Sequence, residues 1–132
     1  MVEKLLTEYK VNIMSTRAQV RFATREQGVS FNDHPQKIHA QFYCHYDGYP
    51  EGLGVEIAEC FTKYRKIYSW EIEELNTRHG DLEYIYYVWQ HPMKDTWISI
   101  FKVRGDISGE CIFVGRPSDL IDKYKPNTNE EG

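Results

Sequence analysis

The chain has 132 residues, a formal net charge of −4, 41% apolar residues and 27% charged residues. Those values describe one globular domain able to bury its own core, and they exclude a disordered chain. The mild acidity argues against a generic nucleic-acid binder, and no run approaches the ~20 apolar residues of a membrane-spanning helix.

Residues 1–14 place Leu5, Leu6, Tyr9 and Ile13 at spacings that suit a short helix or an appendage to the domain. They lack the apolar core of a signal peptide. A first strand is predicted over 16–24, where Ala18, Val20 and Phe22 alternate with Arg17, Gln19 and Arg21. Residues 25–36 hold Gly28, Asn32, Asp33 and Pro35 and read as the long loop of a hairpin. The second strand is predicted over 37–46. Ile38, Ala40, Phe42, Cys44 and Tyr46 face one way; His39, Gln41, Tyr43 and His45 face the other.

A turn at Asp47-Gly48 and a proline at Pro50 open a helix expected over 50–66, with Leu53, Ile57, Phe61 and Tyr64 as its apolar stripe. Ser69 looks like the N-cap of a second short helix through Leu75. Three further strands are predicted over 82–90, 96–104 and 110–115. Their runs are apolar on both faces, so that part of the sheet is expected to be covered on both sides. A short helix over 117–124 and a frayed tail over 126–132 complete the chain. The expected fold is therefore α+β: one domain over 15–125, with a single, largely antiparallel five-stranded sheet in ββαβββα order and the main helix on one face.

The three cysteines, Cys44, Cys60 and Cys111, are odd in number, widely spaced and set among apolar neighbours. That favours small core residues in a reducing, cytoplasmic compartment over a disulfide framework or a zinc site. No Gly-rich phosphate loop, nucleophile elbow or H-E-x-x-H motif is present. No metal and no cofactor is expected, and the balance favours a binding protein over an enzyme.

Two constellations carry chemistry. His45 and Asp47 lie two apart at a strand end, where a carboxylate can orient an imidazole for acid–base work. The alternative is that Asp47 caps the turn and His45 is structural. The polar face of the first two strands gathers Arg17, Arg21, His39, Tyr43 and His45, with Tyr49 close behind. Paired guanidinium groups hold phosphate or carboxylate, and aromatic rings stack on bases. The alternative there is a plain solvated face. Register brings Arg17 opposite His45 if the 25–36 loop closes a hairpin, and Asp47, two residues on, can then pair with Arg17 or orient His45.

Ser15-Thr16-Arg17-Ala18, followed by His45-x-Asp47-Gly48-Tyr49-Pro50, resembles a family of small uncharacterised proteins of bacterial and phage genomes. The resemblance runs from about Ser15 to Ala58 and brings no established activity with it. It implies a phage or mobile-element setting. Two functions follow as expectations. One is an accessory protein that acts by binding a macromolecular partner, such as a host defence component. The other is a ligand-binding or enzymatic domain for a phosphorylated small molecule or nucleotide, built on Arg17, Arg21, His45 and Asp47. A local basic patch would serve a nucleotide or nucleic acid, and no membrane partner is expected.

Overall fold

The computed structural model describes residues 16–63, 70–104 and 107–125. The expectations for 1–14 and for the tail at 126–132 lie outside the described residues, whereas the helix expected over 50–66 ends at Cys60, with Phe61, expected on its apolar stripe, 45% exposed at its C-cap. Strands β1 (Arg17–Thr24) and β2 (Lys37–Cys44) form the first hairpin. A π-helical turn (Pro50–Gly54) leads into α1 (Val55–Cys60). Strands β3 (Trp70–Glu73), β4 (Leu82–Gln90), β5 (Thr96–Arg104) and β6 (Ile107–Gly115) follow, and α2 (Pro117–Tyr124) comes after them. No helix among the described residues is long and apolar enough to cross a membrane.

The α+β class holds, but the expected five-stranded antiparallel sheet does not. The sheet has six strands in the order β3-β2-β1-β4-β5-β6. Residues 70–73, expected to be helical, form the extra edge strand on β2, with Trp70 opposite Cys44 and Glu73 opposite Gln41. Trp-Glu-Ile-Glu alternates with a period of two, and that pattern outweighs the loose capping signal at Ser69. The second difference lies at the centre. β4 pairs with β1 in parallel, Val20 opposite Tyr86, while every other pairing is antiparallel. Residues 74–81 make this possible by returning across the sheet, where the Thr77 carbonyl accepts from Gln19 and Gln41.

The two faces of the sheet bury different things. On the helix face Ala18, Val20, Cys44, Tyr86, Val88, Ile98 and Ile100 pack against Leu53, Ile57, Ala58 and Leu120. Phe42 is partly buried there, edge-on to Phe22 at 5.9 Å. The opposite face buries Ala23, Ile85, Tyr87, Trp89 and Phe101. Strands β4 and β5 are thus covered on both sides, as their doubly apolar runs imply. Ile38 departs from the expected alternation. The register shifts between Phe22 and Ala23, so Ala40 opposes Phe22 while Ile38 opposes Ala23. This bulge at His39 turns Ile38 to the Ala23 face. Cys44 is fully buried, and Cys60 and Cys111 are partly buried.

The segment after β2 locks onto β1. Asp47 adopts a left-handed φ of 56°, and its carbonyl accepts from Leu53 N–H at 2.9 Å. Gly48 N–H donates to the Thr16 carbonyl at 3.0 Å, and the buried Tyr86 hydroxyl donates to the Gly48 carbonyl at 2.6 Å. A Cβ on Gly48 would stand 2.9 Å from both the Thr16 oxygen and the Ala18 Cβ. Thr16–Ala18 and the Asp47–Gly48 turn therefore meet in one joint that only glycine fits. On the far side Glu59, 2% exposed, ties the helices together through Lys125 of the α2 C-cap at 2.8 Å and Lys63 at 3.3 Å. Burial alone would raise its pKa, yet those two ammonium groups hold the carboxyl below its usual range.

Gly48→Ala is expected to destabilise the fold by about 1–3 kcal/mol, the cost of overpacking against rigid backbone. Gly80→Ala meets nothing within 4 Å and serves as the control. Urea melts of the two variants check this, and equal midpoints would show that the joint is not tight.

Candidate functional site

At the start of β1, called the lower end below, Arg17, Tyr43 and His45 are neighbours, and each of these three is committed to a partner. The register Ala18 opposite Cys44 brings the beginning of β1 against the end of β2. Arg17 pairs with Asp81 at 3.2 Å rather than with Asp47. The Tyr43 hydroxyl donates to the same Asp81 carboxylate at 3.1–3.2 Å, and burial followed by that carboxylate pushes its pKa up to about 12. His45 meets Glu71 on β3 at 3.2 Å. Asp47 is exposed in its left-handed turn and belongs to no ion pair among the described residues. The proposed imidazole–carboxylate pair of His45 and Asp47 is therefore not formed. β2 ends at Cys44, so strand alternation no longer aligns the two side chains. His39 is held apart at the bulge, 2.6 Å from the Thr24 hydroxyl. Tyr49 packs over Gly52, whose Cβ would lie 3.3 Å from its ring.

A polar relay crosses the middle of this face. Gln19 and Gln41, each 1% exposed, both donate to one Glu73 oxygen, at 2.9 and 3.0 Å. The other Glu73 oxygen meets His79 at 2.7 Å, and the His79 ring stacks on Tyr43 at 3.7 Å. Arg21 donates to Gln19 Oε1 at 2.9 Å and to the Tyr87 hydroxyl at 2.7 Å. Tyr87 in turn meets His34 Nδ1 at 2.7 Å. With Arg21 donating to the phenol oxygen, the phenol proton goes to Nδ1, which leaves His34 neutral with its own proton on Nε2. That Nε2 is buried and has no hydrogen-bond partner among the described residues. His34 also stacks on Phe101 at 3.8 Å. It thereby pins the 25–36 loop onto β4 and β5. Burial first and the Arg21 charge second lower its pKa from the ordinary value.

The same loop builds the upper end. Phe31 lies against Trp89, His91 and Trp97 at 5.3–5.7 Å, and His91 stacks on Trp97 at 4.4 Å. The Arg25 guanidinium sits over the Trp89 ring at 4.4 Å and donates to the Ser30 carbonyl at 2.6 Å. A groove of about 410 Å³ opens here, lined by Arg25, Gly28, Phe31, Trp89, His91 and Lys94 among others. Its rim is the β4–β5 turn, in which Met93 is 76% exposed and Lys94 takes a φ of 73°. Lys94 N–H donates to the His91 carbonyl at 2.6 Å, and His91 N–H to the Asp95 carbonyl at 2.8 Å, which closes the turn around that left-handed residue. None of these groove residues stood out in the sequence. The usable signal was the length of the 25–36 loop, at the limit of what a structureless connection reaches inside a small domain. Among the described residues, no three His, Cys, Asp or Glu converge on a metal site.

His34 gives a pH prediction. The unfolded chain takes up a proton near the ordinary histidine value of about 6.5, whereas the folded ring takes it up at lower pH. Its contribution to stability is then fully present above about pH 6.5 and is lost as pH falls below that value through the native one. His34→Gln is expected to remove this acid-side decline, as read from denaturant midpoints across pH 4.5–8 (roughly two units either side of the ordinary value). An unchanged decline in the variant would assign it to other groups.

Compared with protein-family models, with curated proteins and with solved structures, the chain matches none, and the reading of its site rests on this geometry.

Proposed function

We propose that the chain is a small binding protein that docks a macromolecular partner with the upper end of its sheet, the end formed by the 25–36 loop and the β4–β5 turn. One observation carries this reading. The turn presents Met93, 76% exposed, beside an aromatic-walled groove, and it holds Lys94 in the left-handed region that Asp47 also adopts at the lower end. Left-handed backbone costs roughly 1–2 kcal/mol at a residue with a Cβ, and such strain clusters where a surface is shaped for contact. Exposed Phe31 and Met93 at the rim supply the apolar anchors that partner surfaces bury.

The alternative, a pocket for a phosphorylated small molecule or nucleotide, needs Arg17, Arg21, His45 and Asp47 to share an opening. Their side chains are spent on separate partners instead: Asp81, Gln19 with Tyr87, and Glu71, with Asp47 turned to solvent. That favours binding over catalysis. The phage or mobile-element setting, with a host defence component as the partner, rests on the resemblance of the S-T-R-A and H-x-D-G-Y-P segments.

A photo-crosslinking residue placed at Met93 is expected to give a discrete adduct in host cells. The same residue at Ile72, 75% exposed on the opposite part of the sheet, is expected to give none. Identical patterns from both positions would sink the docking assignment. Lys94→Gly is expected to raise stability by about 1 kcal/mol, by relieving the left-handed backbone, while weakening the Met93 adduct. A variant neither more stable nor weaker in crosslinking would show that the turn is unstrained.

A further inference from the structure

The 25–36 loop forms one wall of the groove, and side chains fasten it to the sheet. Its own backbone bonds, Val29 N–H to the Glu26 carbonyl and Asp33 N–H to the Ser30 carbonyl, join the loop to itself. Gly28 gives it a left-handed pivot with open space around the Cα. Arg25 and Phe31 hold the sheet through ring contacts with Trp89 and Trp97. His34 adds a hydrogen bond, 2.7 Å from its Nδ1 to the Tyr87 hydroxyl, and stacks on Phe101 at 3.8 Å. It is therefore the polar fastening between the loop and strands β4 and β5.

That fastening works for the neutral ring. A second proton belongs on Nδ1 and turns the acceptor of the Tyr87 hydroxyl into a donor. The phenol oxygen already receives Arg21 at 2.7 Å, so the phenol proton would lose its place. The new charge would also spread to Nε2, which is buried without a partner. Around the ring, β1 presents Arg21, β4 the Tyr87 phenol and β5 the apolar Phe101. The loop itself brings Arg25 and Asp33, and β6 brings the Gly109 backbone. The Cys111 thiol of β6 acts on Arg25, and burial raises its pKa, so it stays neutral in acid. Desolvation, then Arg21 and Arg25, oppose the charged ring; Asp33 and the Gly109 backbone favour it, and the balance lowers the pKa. In an open loop the ring is hydrated and takes its proton near the ordinary value of about 6.5. The closed form is thus held fully above that value and is lost as pH falls below it.

Resting on the docking reading above, we infer that His34 is an acid-sensitive latch on the docking end: protonation of its ring frees the 25–36 loop from β4 and β5 and dismantles the groove, while the helix-face core stays folded.

The test is NMR of the whole protein, without a partner, from about pH 8 to about pH 4.5, a range that brackets the ordinary histidine value. The ring-to-ring Overhauser contacts of Phe31 with Trp89 and Trp97 are expected to vanish in step with the His34 ring signal. Those of Ile57 and Leu120, buried in the helix-face core, are expected to persist. His91 also touches Phe31 and also titrates, so His91→Gln is the control and is expected to open as the wild type does. His34→Gln keeps an acceptor for the Tyr87 hydroxyl but cannot charge, and it is expected to stay closed throughout. Phe31 contacts that survive a charged His34 ring overturn the latch. So does their loss in His34→Gln, or their loss only together with the Ile57 and Leu120 contacts. Should His34→Gln not fold, the wild-type titration and the His91→Gln control decide alone. Failure of the latch leaves the Met93 crosslink at neutral pH in place. Failure of the docking reading removes that crosslink and leaves the acid opening of the loop.

Discussion

The joint between Gly48 and the first residues of β1 sets the rest of the structure. A glycine there lets backbone touch backbone, with Gly48 N–H on the Thr16 carbonyl and no room for a Cβ. The close approach turns the chain sharply away from β2, and Pro50 starts the helical segment directly over the sheet. Tyr86, on β4, closes the joint from beneath with its buried hydroxyl. One contact thus links β1, the helical layer and the parallel neighbour β4. A buried phenol without that acceptor would carry an unmet hydrogen-bonding demand, which is why the joint and the parallel pairing are coupled.

Helices cover one face of the sheet, and the other is closed by two connections of opposite character. Residues 74–81 lie over the lower half and bring backbone carbonyls and a carboxylate to the buried amides of Gln19 and Gln41. The 25–36 loop lies over the upper half and brings rings, Phe31 and His34, to Trp89 and Phe101. Arg21 is the seam, bonded to Gln19 on one side and to Tyr87 on the other. This row is hydrogen-bonded along its length but leaves Arg21 Nε and His34 Nε2 buried without a partner, so the bonds it does make are costly to lose. Both connections must therefore dock for the face to close, and the geometry of the groove depends on the seam below it.

Local pattern made much of this visible beforehand. β1, β4, β5 and α2 sit where alternation, doubly apolar runs and a proline-led turn put them, because those signals are short-range and agree with burial. β3 is hard to read locally because its alternation spans only four residues and follows a serine of the type that caps helices. The parallel β1–β4 pairing could not be read at all. Strand order depends on which face the 74–81 return crosses, and nothing in the strands themselves records that path. His39 and Ile38 were misplaced by a single bulge, since one inserted residue reverses parity beyond it. At the lower end Arg17, Tyr43 and His45 are neighbours, but Asp81 and Glu71, from distant segments, are the carboxylates they meet, and local spacing points only to Asp47.

The contrast between the two ends then carries the functional argument. At the lower end Arg17, Tyr43, His45 and His79 each meet a carboxylate or a stacked ring, so their chemistry is consumed in holding the hairpin, β3 and the return segment together. At the upper end the fold leaves apolar surface exposed beside a groove, with Phe31 39% and Met93 76% exposed at a turn that holds Lys94 in the left-handed region. Left-handed backbone alone does not separate the two ends, because Asp47 at the lower end shares it with Lys94. What the upper end adds is a groove walled by Phe31 and Trp89 with the exposed Met93 at its rim, an apolar surface of the kind that partner proteins bury.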